Sequence, residues 1–237
     1  MSRDARELGN AWTKYQRHAF PKPAPDLAAY VERYWIVSWD YAEPYRQLIV
    51  PYPVVQLTFQ DGRATVNGVR SNHQVKVLEG SGGVFGVEFR PGCFRPFLGA
   101  AVSTITDRML DAREVFGPTL PEPIDVPTIE RFLRAQLPEQ DPRAQEVADM
   151  VSEIAATPEI TRVGALAHNL GLSIRQLQRL FAEYVGIGAE VGHPPVPPPR
   201  GHRALGGRRR DRLVRPGLRP RLCGPGPLHP RLPHHVR

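Results

Sequence analysis

The sequence lacks what a membrane or secreted protein would carry. No apolar run approaches the roughly 20 residues that span a bilayer. Met1-Ser-Arg-Asp-Ala-Arg-Glu7 leads into no apolar stretch of the kind that opens a secretory signal. Two cysteines in 237 residues, Cys93 and Cys223, are too few for a disulfide framework or a Cys-rich zinc site. These absences give the expectation of a cytoplasmic protein with no membrane partner. Signs of catalysis are missing too. No Gly-rich loop with a following Lys-Ser/Thr leaves a strand to cradle phosphate. His18 and His73 stand far apart, with no carboxylate or cysteine at ligand spacing. No catalytic residue, cofactor or metal ligand is assigned, and a non-enzyme is expected.

Charge needs dividing before it is used. The net charge of +7 resides wholly in the last 47 residues, which hold 11 Arg and one acid, Asp211. Residues 1–190 carry 20 basic and 23 acidic side chains, so the rest of the chain is mildly acidic. The basic balance alone is therefore no argument for nucleic acid.

That C-terminal stretch lacks Ser, Thr, Asn, Gln, Glu and Lys, and it contains 11 Pro, 7 Gly and 5 His. Solvated linkers and basic tails ordinarily keep Ser, Lys, Glu or Gln. Eight of its nine residue types have codons that can begin with G or C, the signature of a GC-rich gene read out of frame. With synonymous codons chosen freely, Glu190–Arg203 read one nucleotide later can spell KWVIRRYRLHEAIE. The same shift over Arg212–Val236 can spell DWSGLASDLGYADQAHFIRDFRTM. Residues 190–237 are expected to be a disordered, out-of-frame tail. A genuine Arg/Pro-rich tail that binds RNA or a membrane surface is the alternative.

Ahead of it, residues 27–59 are dense in β-branched and aromatic residues, notably Tyr34-Trp-Ile-Val-Ser-Trp39 and Leu48–Phe59. Gln60-Asp-Gly62 is a turn signal. Ala64–Val69, Gln74–Leu78 and Val84–Phe89 read as further strands, with Gly80-Ser-Gly-Gly83 as a break between the last two. A helix is expected through Arg95-Pro-Phe-Leu-Gly99, and an amphipathic one over Ile129–Leu137. Short strands at this spacing suggest a small barrel or sandwich with helices after it. Glu88 and Arg90, two apart on a strand, share a face and could anchor a polar ligand, although an ion pair is the plainer reading. Trp35, Trp39, Phe59, Phe85 and Phe89 could line a pocket, with core packing as the default.

The next segment is helical. Asp141 is a good N-cap with Pro142 at the first helical position, and Val147, Met150, Val151 and Ile154 form a buried stripe. Thr157-Pro-Glu ends that helix. Ile160–Tyr184 then reads as helix, tight turn, helix. Leu166, Ala167 and Leu170 line one face, and Gly171 can reverse the chain in the left-handed conformation. Ser173 with Gln176 makes a capping box. In the second helix Leu177, Leu180 and Phe181 point inward, while Arg175, Gln178 and Arg179 point out. Arg suits guanine and Gln suits adenine in the major groove, where a helix-turn-helix lays its second helix. Any αα-hairpin with a solvated Arg/Gln face would share part of this pattern.

Leu166-Ala-His-Asn-Leu-Gly-Leu-Ser-Ile-Arg-Gln-Leu-Gln-Arg-Leu-Phe181, followed by Tyr184-Val-Gly-Ile187, resembles the first helix-turn-helix of the AraC family of transcription regulators. Tyr34-Trp35, Ile49-Val-Pro51 and Gly86-Val-Glu-Phe-Arg-Pro-Gly-Cys-Phe94 resemble a cupin-like sensor domain of some members. The resemblance implies an α+β chain: a β-rich ligand-sensing domain over 1–140, a first helix-turn-helix over 141–189, and the tail over 190–237. It assigns Ser173, Arg175, Gln176, Gln178 and Arg179 to DNA, and leaves Trp35, Glu88 and Arg90 as candidates for ligand binding. The implied partners are operator DNA and a small-molecule effector, with a homodimer left open. The family's second motif is missing from the tail as written, and the shifted reading would restore it. Weak, poorly specific DNA binding is expected, together with partial loss of packing at Leu177 and Phe181. A stand-alone small-molecule binder of cupin type is the alternative function.

Overall fold

In a computed structural model the described residues are 15–122, 124–156 and 163–188. The C-terminal stretch expected to be out of frame, the helix stop at Thr157 and the start of the motif at Ile160 lie outside them. Six strands form one antiparallel sheet: β1 (Gln16–Ala19), β2 (Val31–Ile49), β3 (Gln56–Gln60), β4 (Arg63–Asn67), β5 (Gln74–Phe89) and β6 (Met109–Asp111), in the order β1-β2-β5-β3-β4-β6. The helices are α1 (Arg95–Leu98), α2 (Arg113–Phe116), α3 (Val126–Ala135), α4 (Pro142–Ala156), α5 (Val163–Asn169) and α6 (Ile174–Leu180). A 3-10 turn, Val102–Ile105, follows α1, and a π-helical turn, Phe181–Val185, prolongs α6. The α+β class expected from sequence is the class observed. None of the described helices is long and apolar enough to cross a membrane.

The sheet is rolled, and the hydrogen bonds show where. Gln16 lies opposite Trp39, yet its amide donates to Tyr41 Oη and to Gln47 Oε1, each at 2.8 Å. A straight strand would carry Gln47 about 26 Å from Trp39 at roughly 3.3 Å per residue. β2 must therefore bend back between them, at the irregularity between Tyr41 and Tyr45. Lys76 Nζ donates to Gln60 Oε1 at 2.7 Å, although Phe59 is paired with Phe85, nine residues along β5 from Lys76. β5 curls with its neighbour.

The expected break at Gly80–Gly83 is not observed. β5 runs unbroken from Gln74 to Phe89 because these glycines still pair with β2. Their role is steric: the Trp39 indole lies where a Cβ on Gly82 would be, and Trp35 does the same over Gly86. The expected single run Leu48–Phe59 is divided instead, with residues 50–55 outside any strand. Pro51 and Pro53 cannot donate to a ladder.

The two faces differ. Tyr34, Leu57, Phe59, Val66, Phe85, Val87 and Phe89 face outward from the roll and form the main core with Phe94, Phe116, Ile129 and Leu133 from the helical side. Phe59, Phe85 and Phe89 are thus core residues. The inner face carries Trp35, Val37, Trp39, Tyr41, Tyr45, Val84 and Leu78, interleaved with polar side chains. A second cluster joins α4, α5 and α6 through Val147, Val151, Leu166, Ala167, Leu177, Phe181 and Tyr184. Ile187 packs against both this cluster and the main core, and sheet and helices belong to one compact unit.

Candidate nucleic-acid interface

The helix pair follows from its caps. Asp141 Oδ1 accepts from the Arg143 amide at 3.0 Å and starts α4 with Pro142 at its first position. α5 ends at Asn169, and Gly171 just beyond it, with a φ of +64°, reverses the chain. The Leu172 amide returns to Ala167 O at 2.9 Å, which closes the turn. Ser173 then caps α6 in a reciprocal capping box: its hydroxyl accepts from the Gln176 amide, and the Gln176 carboxamide accepts from the Ser173 amide at 2.9 Å.

This geometry sorts the five residues assigned to DNA. Arg175, Gln178 and Arg179 are exposed, while Leu177 on the opposite face is fully buried. Ser173 and Gln176 are exposed at the helix start, but their polar atoms are engaged with each other. They are cap residues first, and could touch a phosphate or base only by sharing those bonds. Ser173, Arg175, Gln176 and Arg179 surround a recess of about 330 Å³ at the start of the helix. Two guanidinium groups with one free carboxamide on a helical face can reach base edges and phosphates together.

The expected loss of packing at Leu177 and Phe181 is not observed. Leu177 is fully buried and Phe181 is 6% exposed. Both belong to one cluster with Val147 and Val151 of α4, Leu166 and Ala167 of α5, and Tyr184 and Val185 of the π-helical turn.

The ligand candidates separate. Trp35 lies on the inner face of the roll, half-buried, with its indole N–H unpartnered. Glu88 shares that face but is spent: it is 4% exposed and accepts from Arg33 Nη2 at 3.0 Å. Burial pushes its carboxyl above the usual range, against the opposing pull of Arg33. Arg90 does not join them. It lies just past the end of β5 and reaches α4 instead, donating to Gln145 at 3.3 Å and lying 3.6 Å from Asp149. Strand alternation could not foresee this, because the strand stops at Phe89.

Inner-face polar groups that no motif revealed are Gln16, Gln47, Thr58, Gln60, Thr65, Asn67 and Lys76. For Thr58, Gln60, Thr65 and Asn67 the signal was the two-residue alternation of polar side chains in β3 and β4, legible only once the roll is known. Asn67 donates to Thr58 Oγ1 at 2.8 Å, and Thr58 pairs with Thr65 at 2.9 Å. Lys76 lies 6.0 Å from the Trp39 ring centroid, and burial pulls its ammonium below the usual range. Among the described residues no three His, Cys, Asp or Glu converge as metal ligands.

Residues 20–111, from the turn after β1 through β6, match a family model described as a domain of unknown function, DUF6597. No curated protein and no solved structure matches the chain.

Proposed function

We propose that the chain is a DNA-binding transcription regulator of AraC type, in which α6 enters the major groove and the rolled sheet receives a small-molecule effector. The observation that carries this reading is the pairing of a capped, glycine-turned helix hairpin with an exposed Arg175/Gln178/Arg179 face on its second helix. The partner is double-stranded DNA, and the protein's own role is binding rather than catalysis. Since one helix pair covers little of a duplex, the affinity is weak and falls as salt is raised.

The test is a salt series of duplex titrations by fluorescence anisotropy, comparing the full chain with Arg175→Ala and Arg179→Ala. The arginines of the C-terminal stretch contribute equally to all three. Each substitution should weaken binding, and one that removes a phosphate contact lowers the log–log salt slope by about one. Unchanged affinity and slope in both variants would overturn the assignment.

A second reading is favoured by the polar inner face of the roll: a small-molecule binder in which the helix hairpin is structural. It predicts tryptophan fluorescence changes with ligand that Trp35→Phe abolishes, and no DNA affinity that depends on Arg175.

A further inference from the structure

α6 is short, and the turn after it fixes its direction. Seven residues make fewer than two full turns and have little stability of their own. The π-helical turn Phe181–Val185 continues α6 without a break, so holding the turn holds the helix and the bearing of Arg175, Gln178 and Arg179.

One side chain from outside the helix hairpin grips this turn. Arg95, the first residue of α1, donates from Nε to Glu183 Oε1 at 2.9 Å, and its Nη2 lies 2.8 Å from the same oxygen. Its Nη1 lies 3.6 Å from Asp141 Oδ2, and its guanidinium carbon lies 5.1 Å from the Tyr184 ring centroid. Tyr184 Oη donates to that same Asp141 oxygen at 3.0 Å. Asp141 meanwhile caps α4. A planar cation thus joins the cap of α4 to the turn after α6, with an aromatic face beneath it.

Two further contacts come from the same side. The Thr106 hydroxyl donates to the Gly186 carbonyl. Gly186 has a φ of +94°, and a Cβ there would stand 2.9 Å from Val102 Cγ1 of the 3-10 turn. The chain leaving α6 therefore lies directly on the segment after α1.

We infer that Arg95 is a positioning residue for DNA reading: by clamping Glu183, Tyr184 and Asp141 it sets the orientation of α6 and links it to the sheet. The inference rests on the DNA-reading proposal for its purpose, but the clamp itself can be tested without DNA. Coupling of this kind is reciprocal, so loosening α6 must also be felt in the 3-10 turn.

The experiment is amide hydrogen exchange on the full chain, comparing the unaltered protein with Arg95→Ala, Arg95→Lys, Glu183→Gln, Ser173→Ala and Arg95→Ala/Ser173→Ala. Amides of 174–185 should exchange about fivefold faster in Arg95→Ala and Glu183→Gln, a fold-change in keeping with loss of a partly exposed charge-assisted hydrogen bond. Those of β3 and β5 should be unchanged, and Arg95→Lys should restore part of the protection. Ser173→Ala, which weakens the far end of α6, should speed exchange at Val102–Ile105 more when Arg95 is present than when it is alanine, where only the Gly186 contacts remain. A purely local packing role would leave that transmission intact. Should Arg95→Ala also unprotect the sheet, the near-isosteric Glu183→Gln decides. Unchanged exchange over 174–185 in Glu183→Gln overturns the clamp, whereas failure of the unaltered chain to bind duplex overturns only the DNA reading.

Discussion

The two larger hydrophobic cores are unequal. Among the described residues the sheet core holds 19 buried side chains and the helical cluster nine. The sheet core contains a continuous aromatic set, with Phe89 4.7 Å from Phe94 and 5.3 Å from Phe97, and Phe116 5.6 Å from Phe132. Among the described residues the helical cluster has Phe181 and Tyr184 as its only aromatics. Those nine side chains must offset the entropy of ordering one helix of 15 residues and two of seven. They are supplemented at the seam, where Ile187 serves both cores and Arg95 reaches across. The difference teaches that the segment proposed to read DNA borrows its order from the sheet side.

This contrast can be broken most directly in the larger core. Phe89→Ala, at a fully buried position, should cost about 4 kcal/mol and lower the urea midpoint of sheet and helices together. Leu177→Ala should cost about 3 kcal/mol in the smaller cluster. Its expected signature is different: α6 loses exchange protection before the sheet does. Simultaneous loss in both regions would show one cooperative core and break the comparison.

Ser173→Ala should cost about 1 kcal/mol through the lost capping box, read as a lower thermal midpoint of the helical segment. The smallest effect is a slope. The carboxyl of Glu88 titrates above its ordinary 4.5 in the folded chain, so the folded state holds its proton more tightly than the unfolded state. Its contribution to stability is fully present below that ordinary value and is lost as pH rises through the folded value. Glu88→Gln should flatten the stability–pH curve just above pH 4.5. A curve that instead rises in that window because of Glu88 would reverse the sign assigned here.

Much of the helical segment was legible in the sequence, because its determinants are local. Ser173, Gln176, Gly171 and Pro142 act within a few residues of themselves, and each does in the structure what its type and spacing implied. The exposed Arg175/Gln178/Arg179 face comes from helical periodicity. The sheet was legible only in part. The density of β-branched and aromatic residues marked Tyr34–Trp39 and Val84–Phe89, but β1, the roll and the unbroken course of β5 depend on contacts between distant strands. The glycines at 80–83 carry two opposite meanings in sequence, a break or a place for an indole, and only Trp39 across the ladder decides. Glu88 and Arg90 were paired by their spacing and parted by the strand end at Phe89. Arg95 gave no signal, since its partners stand 46 and 88 positions away.

The central claim is that α6 reads sequence in duplex DNA through Arg175. It is tested most directly by selection from a random duplex pool, run in parallel on the full chain and on Arg175→Ala, with both products sequenced. The account predicts a short recurring preference for the full chain that disappears or relaxes at one base pair in the variant, a change worth about 1–3 kcal/mol. No enrichment with the full chain, or the same enriched sequence from both proteins, would contradict it.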